Sequence, residues 1–378
     1  MTAKSENIIC SRCILDTETY PDIKLGNNGI CDICKIYDHL VVKNVKQGDE
    51  GKAICESIVR QISQNGKNKE YDCIIGLSGG VDSSYLCYLA AKWKLKPLVV
   101  HVDNGWNSEL AVYNIENIVK KLNLDLYTYV IDWEDMKNTH LAFLRASVVD
   151  IELPFDNMFM ATLFKVARKF SVKNILLGIN FLSEGYLPPN FNHNKLDSIN
   201  IRAIHKKFSG KKIRDFPLIN NFKMFYYTKI LGYKTYSLLN YIDYDKEKAK
   251  IELEKSIGWR NYYDKHFENV FTRFYQGYIL PVKFSIDKRK AHLSTLICSG
   301  QISREEALKL NASNAYKTSD LCLQDMEFVI KKLDITESEF FDLMNLPIKK
   351  HTEYASVMNI YSRVKWIKKN LLFKKAKI

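Results

Sequence analysis

The chain lacks the features that would place it in several large classes. No uncharged apolar run approaches the roughly 20 residues of a membrane span. The first residues do not follow the basic, apolar, small-residue order of a secretory leader. No Gly-Lys-Ser/Thr follows its glycine turn, so the Walker phosphate loop is missing, as is the three-glycine dinucleotide spacing. There is no internal repeat and no long low-complexity tract. These absences predict a soluble, cytoplasmic protein without a membrane span.

Acidic residues are also in short supply, 43 against 56 Lys and Arg, for a net charge of +13. The imbalance is greatest in Lys349–Ile378, where nine Lys or Arg face the single acid Glu353. Such a tail suits nucleic acid, an anionic membrane face or an acidic partner. It equally suits a solvated helix face, the reading favoured by Trp366, Leu371, Leu372 and Phe373, which can pack on the body. A hydrophobic fraction of 46% over 378 residues supports a real core and two or three domains.

Nine cysteines in a reducing compartment suggest metal binding or buried thiols before disulfides. Cys10-Ser-Arg-Cys13 and Cys31-Asp-Ile-Cys34 are separated by seventeen residues, the spacing of a zinc ribbon. Four thiolates close a tetrahedral Zn²⁺ shell, which makes such a site structural. Gly26, Asn27, Asn28 and Gly29 supply the turn between the knuckles. Cys55, Cys73, Cys87, Cys298 and Cys322 are scattered and read as core residues.

The most informative stretch is Ile74-Ile-Gly-Leu-Ser-Gly-Gly-Val-Asp-Ser-Ser84. An apolar strand, Cys73 to Leu77, runs into Ser78, Gly79 and Gly80, and a helical pattern follows from Ser83 to Trp93. Glycines at a strand-to-helix turn allow close approaches that a Cβ would block. The turn's N–H groups and the helix N-terminus then converge on one small volume suited to a phosphate chain. From Tyr71 onward strands alternate with helices: Pro97–Val102, a helix Ser108–Leu122 capped by Ser108, Leu126–Ile131 and Asn174–Leu177. This pattern predicts an α/β fold with a parallel sheet, its ligands beyond the carboxyl ends of the strands. Ser78, Asp103 and Gly178 each stand at such an end. Beyond Tyr186 the alternation stops; residues 187–220 read as a mobile or substrate-covering loop, and from Asp245 the pattern is helical, aromatic and basic. The expected units are 1–45, a four-cysteine zinc ribbon; 46–240, the nucleotide domain; and 241–378, a helical basic region contributing to the substrate site.

Ser78-Gly-Gly-x-Asp-Ser83 resembles the signature of the PP-loop ATP pyrophosphatases (adenine nucleotide alpha hydrolase-like). The four-cysteine unit, His101-Val-Asp-Asn-Gly-Trp106-Asn-Ser-Glu109, Gly178 to Gly185, Gly258-Trp-Arg260, Arg273-Phe-Tyr-Gln-Gly277-Tyr-Ile-Leu-Pro281 and Ile286-Asp-Lys-Arg-Lys-Ala-His292 narrow the resemblance. Together they resemble the N-acetyl sugar amidotransferases of bacterial surface-glycan biosynthesis (the WbpG-like and PseA-like group), over nearly the whole chain. The resemblance implies conversion of a sugar acetamido group to acetamidino. The amide oxygen attacks the α-phosphate of ATP, pyrophosphate leaves, and ammonia displaces AMP from an O-adenylyl imidate. Mg²⁺ would bridge the phosphates.

By that resemblance Ser78, Asp82 and Ser83 are the catalytic candidates. Ser78, Gly79, Gly80, Val81, Asp82, Ser83, Ser84, Asp103 and Gly178 would bind ATP. Asn180, Glu184, Lys283, Lys288, Arg289 and His292, with Asp156 in support, would meet a nucleotide-linked sugar or nonulosonic acid. For the four basic residues the other reading is an exposed basic helix face. The chain starts Met1-Thr2-Ala3, without the amino-terminal cysteine of an N-terminal-nucleophile glutaminase. Ammonia is therefore expected from a partner glutaminase with a barrel subunit, similar to the histidine-biosynthesis pair. No nucleic-acid partner is expected. A tRNA thiolation enzyme shares the loop and the cysteines but needs a catalytic cysteine pair or an iron–sulfur site, and Cys73 and Cys87 read as buried. A zinc-ribbon nucleic-acid binder with a degenerate nucleotide fold conflicts with the intact loop.

Overall fold

The computed structural model describes residues 7–184, 187–262, 267–316 and 318–360. Trp366, Leu371, Leu372 and Phe373 of the basic tail, and Gly185, lie outside the described residues. Five parallel strands, β1 (Cys73–Gly76), β2 (Pro97–Asp103), β3 (Asp125–Val130), β4 (Asn174–Leu176) and β5 (Lys234–Tyr236), form one sheet in the order 3-2-1-4-5. Register follows from Ile75 pairing with Val99 on one side and with Leu176 on the other. The chain fills one side of β1 through β3, then crosses to the other with β4. The crevice between the ends of β1 and β4 is thus the topological switch point.

Pleating sends alternate residues to opposite faces. Ile75, Val99 and Leu176 bury against α2 (Gly48–Asn65), α3 (Val81–Lys92), α4 (Glu109–Leu122) and the helix Lys246–Ile257. Ile74, Leu98, Val100 and Ile175 bury against Ala161, Leu163 and Phe164 of α6 (Leu153–Lys169). A third core joins α5 (Trp133–Ala146) to the C-terminal helices through Met136, Phe271, Phe274 and Phe340. Among the described residues no helix is long and apolar enough to cross a membrane.

Two expectations needed correction. The alternation does not stop at Tyr186, since β5 pairs with β4 through Thr235 and Ile175. Three residues are too short a run to register as a pattern. Nor are residues 187–220, read as a mobile or substrate-covering loop, without regular structure. They contain α7 (Ser198–Ser209), which buries Ile201 and Ile204. Asp197, fully buried, caps α7 by accepting from the Asn200 N–H at 3.0 Å. The same carboxylate accepts from His193 Nε2 at 2.8 Å, Ser356 Oγ at 2.6 Å and the Val357 N–H. Asn200 in turn binds the carbonyls of His351 and Ala355, at 2.8 and 3.2 Å. Polar residues read as loop are here the buried ligands of a network.

Burial alone would raise the Asp197 pKa, but its donors outweigh burial and hold it below the usual carboxylate range. A depressed carboxylate contributes stability that is complete above its unfolded pKa, about 4, and is lost as pH falls through the folded value. Asp197→Ala is expected to lower stability by about 2–4 kcal/mol at neutral pH, because buried donors lose their acceptor. Urea melts should show that deficit shrinking as pH falls below about 4. An unchanged midpoint at pH 7 would refute it.

Candidate active site

The loop after β1 is held from three sides. Gly79 has φ +87°, a conformation that disfavours any side chain, and an added Cβ would stand 3.0 Å from the Ala111 carbonyl oxygen. Its own carbonyl accepts from Trp259 Nε1 at 3.1 Å and Tyr262 Oη at 3.0 Å. A trans peptide opposes C=O and N–H, so pinning that carbonyl inward turns the Gly80 N–H outward. There it meets Ser78 Oγ at 3.3 Å, a weak contact that an anion can replace. Ser83 Oγ donates to the Gly80 carbonyl at 3.1 Å and lies 3.2 Å from Ser78 Oγ. The first turn of α3, with its unsatisfied N–H groups, completes an anion-binding terminus.

Asp82 is tied down rather than free. Its Oδ1 accepts from Tyr244 Oη at 2.6 Å, Asn180 Nδ2 at 3.0 Å and Ser183 Oγ at 3.5 Å. Burial, with Asp82 beside it, raises the Tyr244 pKa, so the phenol stays protonated and donates. Gly178 lets β4 meet α3 directly. An added Cβ would lie 2.8 Å from Ser83 N and 3.0 Å from Asp82 C. Behind the loop, His101 Nδ1 is 3.0 Å from the Leu77 carbonyl and Nε2 is 3.0 Å from Asn107 Nδ2. Burial lowers the His101 pKa, and the neutral ring with its proton on Nδ1 satisfies both contacts. Asn107 also donates to Asp103 Oδ1 at 3.2 Å. Asp103 therefore acts on the loop through Asn107 and His101.

These elements wall a cavity of ≈ 1020 Å³ at the switch point. Of the residues singled out in the sequence, Ser78, Gly80, Val81, Asp82, Ser83, Asp156, Gly178, Glu184 and His292 line it. Gly79, Ser84 and Asn180 are buried residues of the same two turns. Asp103, Lys283, Lys288 and Arg289 do not line it, and their charges are engaged elsewhere. Lys283 Nζ donates to the carbonyls of Leu343, Met344 and Leu346 at 2.7–2.9 Å, a helix C-terminus, while burial lowers its pKa. Lys288 pairs with Glu152 at 3.4 Å, and Arg289 folds back on Asp287 at 2.7 Å. Among the described residues, the cations lining the cavity beside His292 are Lys195, Lys246 and Lys250, which the sequence reading did not single out. Lys195 falls in the segment read as loop, so no periodicity marked it. Trp259 lay in a quoted motif, but only the fold shows its partner to be Gly79.

The four cysteines come together, buried, with all sulfurs within 4.8 Å of one another. Cys10 and Cys34 are 4.0 Å apart and Cys13 and Cys31 3.8 Å, near the S···S edge of about 3.8 Å that ~2.3 Å metal–sulfur bonds give a tetrahedron. Backbone N–H groups of Cys13, Cys31 and Cys34 point at the sulfurs at 3.3–3.5 Å, which suits thiolates. The donor set and geometry fit zinc. Cys298 is not simply a core residue, since its sulfur lies 3.7 Å from that of Cys34.

Residues 54–147 match the model of the PP-loop domain. The chain therefore contains an ATP-binding domain of the PP-loop class. Residues 268–368 match the C-terminal domain of LPS biosynthesis protein WbpG-like proteins. The chain thus joins a PP-loop domain to a WbpG-like C-terminal domain. Over 128 residues it is 31% identical to an uncharacterized protein of Methanocaldococcus jannaschii, covering 34% of this chain and 44% of that one. The chain thus spans less than half of that curated relative. Similar solved structures include an NH3-dependent NAD synthetase of Campylobacter jejuni, at 17% identity over 36% of this chain and 59% of that chain, with TM-score 0.28. An NMN synthetase of Francisella tularensis is 15% identical over 80% of this chain and 99% of its own, with TM-score 0.30. Likenesses this weak carry no argument.

Gly178→Ala tests the loop. The new methyl would meet backbone, which cannot swing aside as a side chain does. ATP affinity should fall about ten-fold or more, with a stability loss of about 1–3 kcal/mol and the sheet retained by circular dichroism. Unchanged ATP binding by calorimetry would show that the close approach does not shape the site.

Proposed function

We propose that this protein is an ATP-dependent N-acetyl sugar amidotransferase. The observation that carries the reading is that the PP-loop and the WbpG-like segment wall one cavity, the first contributing Ser78 and Gly80 to Ser83 and the second Glu268, His292 and Leu296. The acetamido oxygen attacks the α-phosphorus of ATP and pyrophosphate leaves into the Ser78–Ser83 cradle. Loss of the amide proton to water gives an O-adenylyl imidate whose C=N group is uncharged. Ammonia adds at the imidate carbon, and AMP departs with the former amide oxygen. Adenylylation turns an oxygen that cannot leave into one that can. The protein's part is to hold the two reactants together and to stabilise negative charge with fixed N–H and hydroxyl donors. Mg²⁺ would accompany the phosphates, with Asp82, Glu184 and Glu268 among the carboxylates that line the cavity.

The ammonia source in this proposal is a separate glutaminase with a barrel subunit. Among the described residues no cysteine lines the cavity, so no thiol nucleophile for glutamine stands there. The same observation weighs against tRNA thiolation: Cys73 and Cys87 are buried, and burial pushes the Cys87 thiol up to about 12. The test supplies the purified chain with ATP, a panel of acetamido sugars, and either ammonium or glutamine. AMP, pyrophosphate and an amidine are expected with ammonium alone. ADP and phosphate as products would defeat the proposal. Ser78→Ala should lose most turnover at little cost in stability, because Ser78 is exposed. Asp82→Ala should lose both, because three donors lose their acceptor.

The proposal includes one structural Zn²⁺ at Cys10, Cys13, Cys31 and Cys34. The unit is stitched to the C-terminal helices. Arg304 donates to the carbonyls of Cys10 and Cys13, both at 3.2 Å, Lys290 pairs with Asp16, and Ile14 packs on Leu293 and Ala307. Helix Lys288–Cys298 also presents His292 and Leu296 to the cavity. Chelation should therefore abolish sugar-dependent turnover while ATP binding and the sheet persist. Purified protein with no zinc by elemental analysis, but full activity, would exclude the metal.

A further inference from the structure

The cation best placed to receive a negatively charged substrate group is Lys195, which nothing in the sequence singled out. Its Nζ lies 2.8 Å from Asp150 Oδ2 and 2.9 Å from Asp150 Oδ1, and 2.8 Å from Asp156 Oδ2. The two carboxylates differ in kind. The Asp150 side chain is 4% exposed and the Asp156 side chain 54%. Asp150 is fixed, since its Oδ2 also accepts from the His193 N–H at 2.7 Å and its own N–H donates to His351 Nε2 at 3.2 Å. The His193 and His351 rings stack 4.4 Å apart behind it. Asp156 faces the cavity and has water as an alternative partner.

An ion pair to an exposed carboxylate is worth little, so a better anion displaces it easily. A pair to a buried carboxylate is strongly held, because breaking it strands a buried charge. Lys195 is thus anchored from behind and exchangeable in front. Burial opposes its charge, but Asp150 and Asp156 outweigh that and raise its pKa, so it remains a cation across the physiological range. Lys246 and Lys250 sit on the helix Lys246–Ile257, which packs on α3, the helix that carries the phosphate cradle. Lys195 and Asp156 belong to other segments, on a wall that also carries Phe159 and Met160 of α6.

We propose that Lys195 is the receptor for an anionic group, carboxylate or phosphate, of the acetamido substrate, and that Asp156 is the counter-ion which that group displaces. The proposal rests on the amidotransferase reading and restricts it to anionic acetamido sugars. Neutral acetamido sugars leave the Lys195–Asp156 pair closed and gain nothing from it. Asp150 is a positioning residue that never meets substrate.

The experiment uses the full chain with ATP and ammonium and reads pyrophosphate release. The probes are carboxylated and nucleotide-linked acetamido sugars, each compared with a neutral counterpart: N-acetylneuraminate against its methyl ester, and UDP-N-acetylglucosamine against methyl N-acetylglucosaminide. Anionic forms should be preferred. Lys195→Met should raise KM for the anionic sugar about ten- to hundred-fold, the scale of one charge-assisted hydrogen bond, with KM for ATP unchanged. Lys195→Arg should recover part of that loss. Asp156→Asn should lower the same KM several-fold and reads the exchange independently should Lys195→Met fold poorly. Equal use of neutral and anionic sugars, or a KM effect on ATP instead, overturns the assignment and leaves the amidotransferase reading standing. No pyrophosphate release with any sugar while ATP still binds overturns both.

Discussion

The site depends on one close approach. The end of β4 lies against the first turn of α3, and residue 178 must lack a Cβ for that to occur. The contact brings Asn180 and Ser183 within reach of Asp82. Asp82 also takes the phenol of Tyr244, so the turn after β4, the start of α3 and the segment before helix Lys246–Ile257 meet on one carboxylate oxygen. With Trp259 and Tyr262 pinning the Gly79 carbonyl, the loop reaches its anion-binding shape through protein contacts alone. Donors fixed before the reaction cost no reorganisation when charge develops, which is the larger part of what such a loop contributes.

Among the described residues the four-cysteine unit contributes nothing to the cavity lining, yet it supports a helix that does. Its knuckles pack Ile14 against Leu293 and Ala307, while Leu15, Tyr20, Ile23 and Ile33 join the large core that also holds the C-terminal helices. Guanidinium-to-carbonyl bonds from Arg304 and the ion pair of Lys290 with Asp16 supply direction. A metal held by the four thiolates would fix the unit to which those helices are tied. His292 and Leu296 stand on a helix tied to that unit, so the proposed dependence of turnover on metal would act through packing.

Much of this was legible in the sequence, for definable reasons. The apolar run Cys73–Leu77, the glycine turn and the Ser108 cap are local signals, and local signals survive into the fold. Ser78, Gly178, Glu184 and His292 were placed by motif and do line the cavity. The basic residues were not resolved, because a sequence shows a charge without its counter-ion. Lys283 is held by a helix C-terminus, Lys288 by Glu152, 136 positions away, and Arg289 by its own cap residue Asp287. Asp103 failed to appear in the cavity for a related reason: its reach to the loop runs through Asn107 and His101, a relay that only three-dimensional spacing reveals.

The segment between Pro188 and Asp197 shows the same limit from the other side. Asn and His residues at low apolar density look like an exposed loop, yet Asp197 is buried, as are its neighbours in the network, Asn200 of α7 and His351, and each has its partners. His351 must be neutral there, because its Nε2 accepts from the Asp150 N–H and its Nδ1 faces Asn200 Oδ1 at 2.8 Å. Burial, reinforced by His193, holds its pKa down at about 3. A fully satisfied buried network of this kind specifies one arrangement, since any shift leaves a donor or acceptor stranded. It connects residues 150, 197 and 351, and so ties the WbpG-like segment to the α/β core at the point where Lys195 meets the cavity. The wall that carries Lys195 is therefore held by fixed protein contacts, as the cradle is. That is the condition under which a single exposed ion pair can act as an exchangeable contact without the site losing its shape.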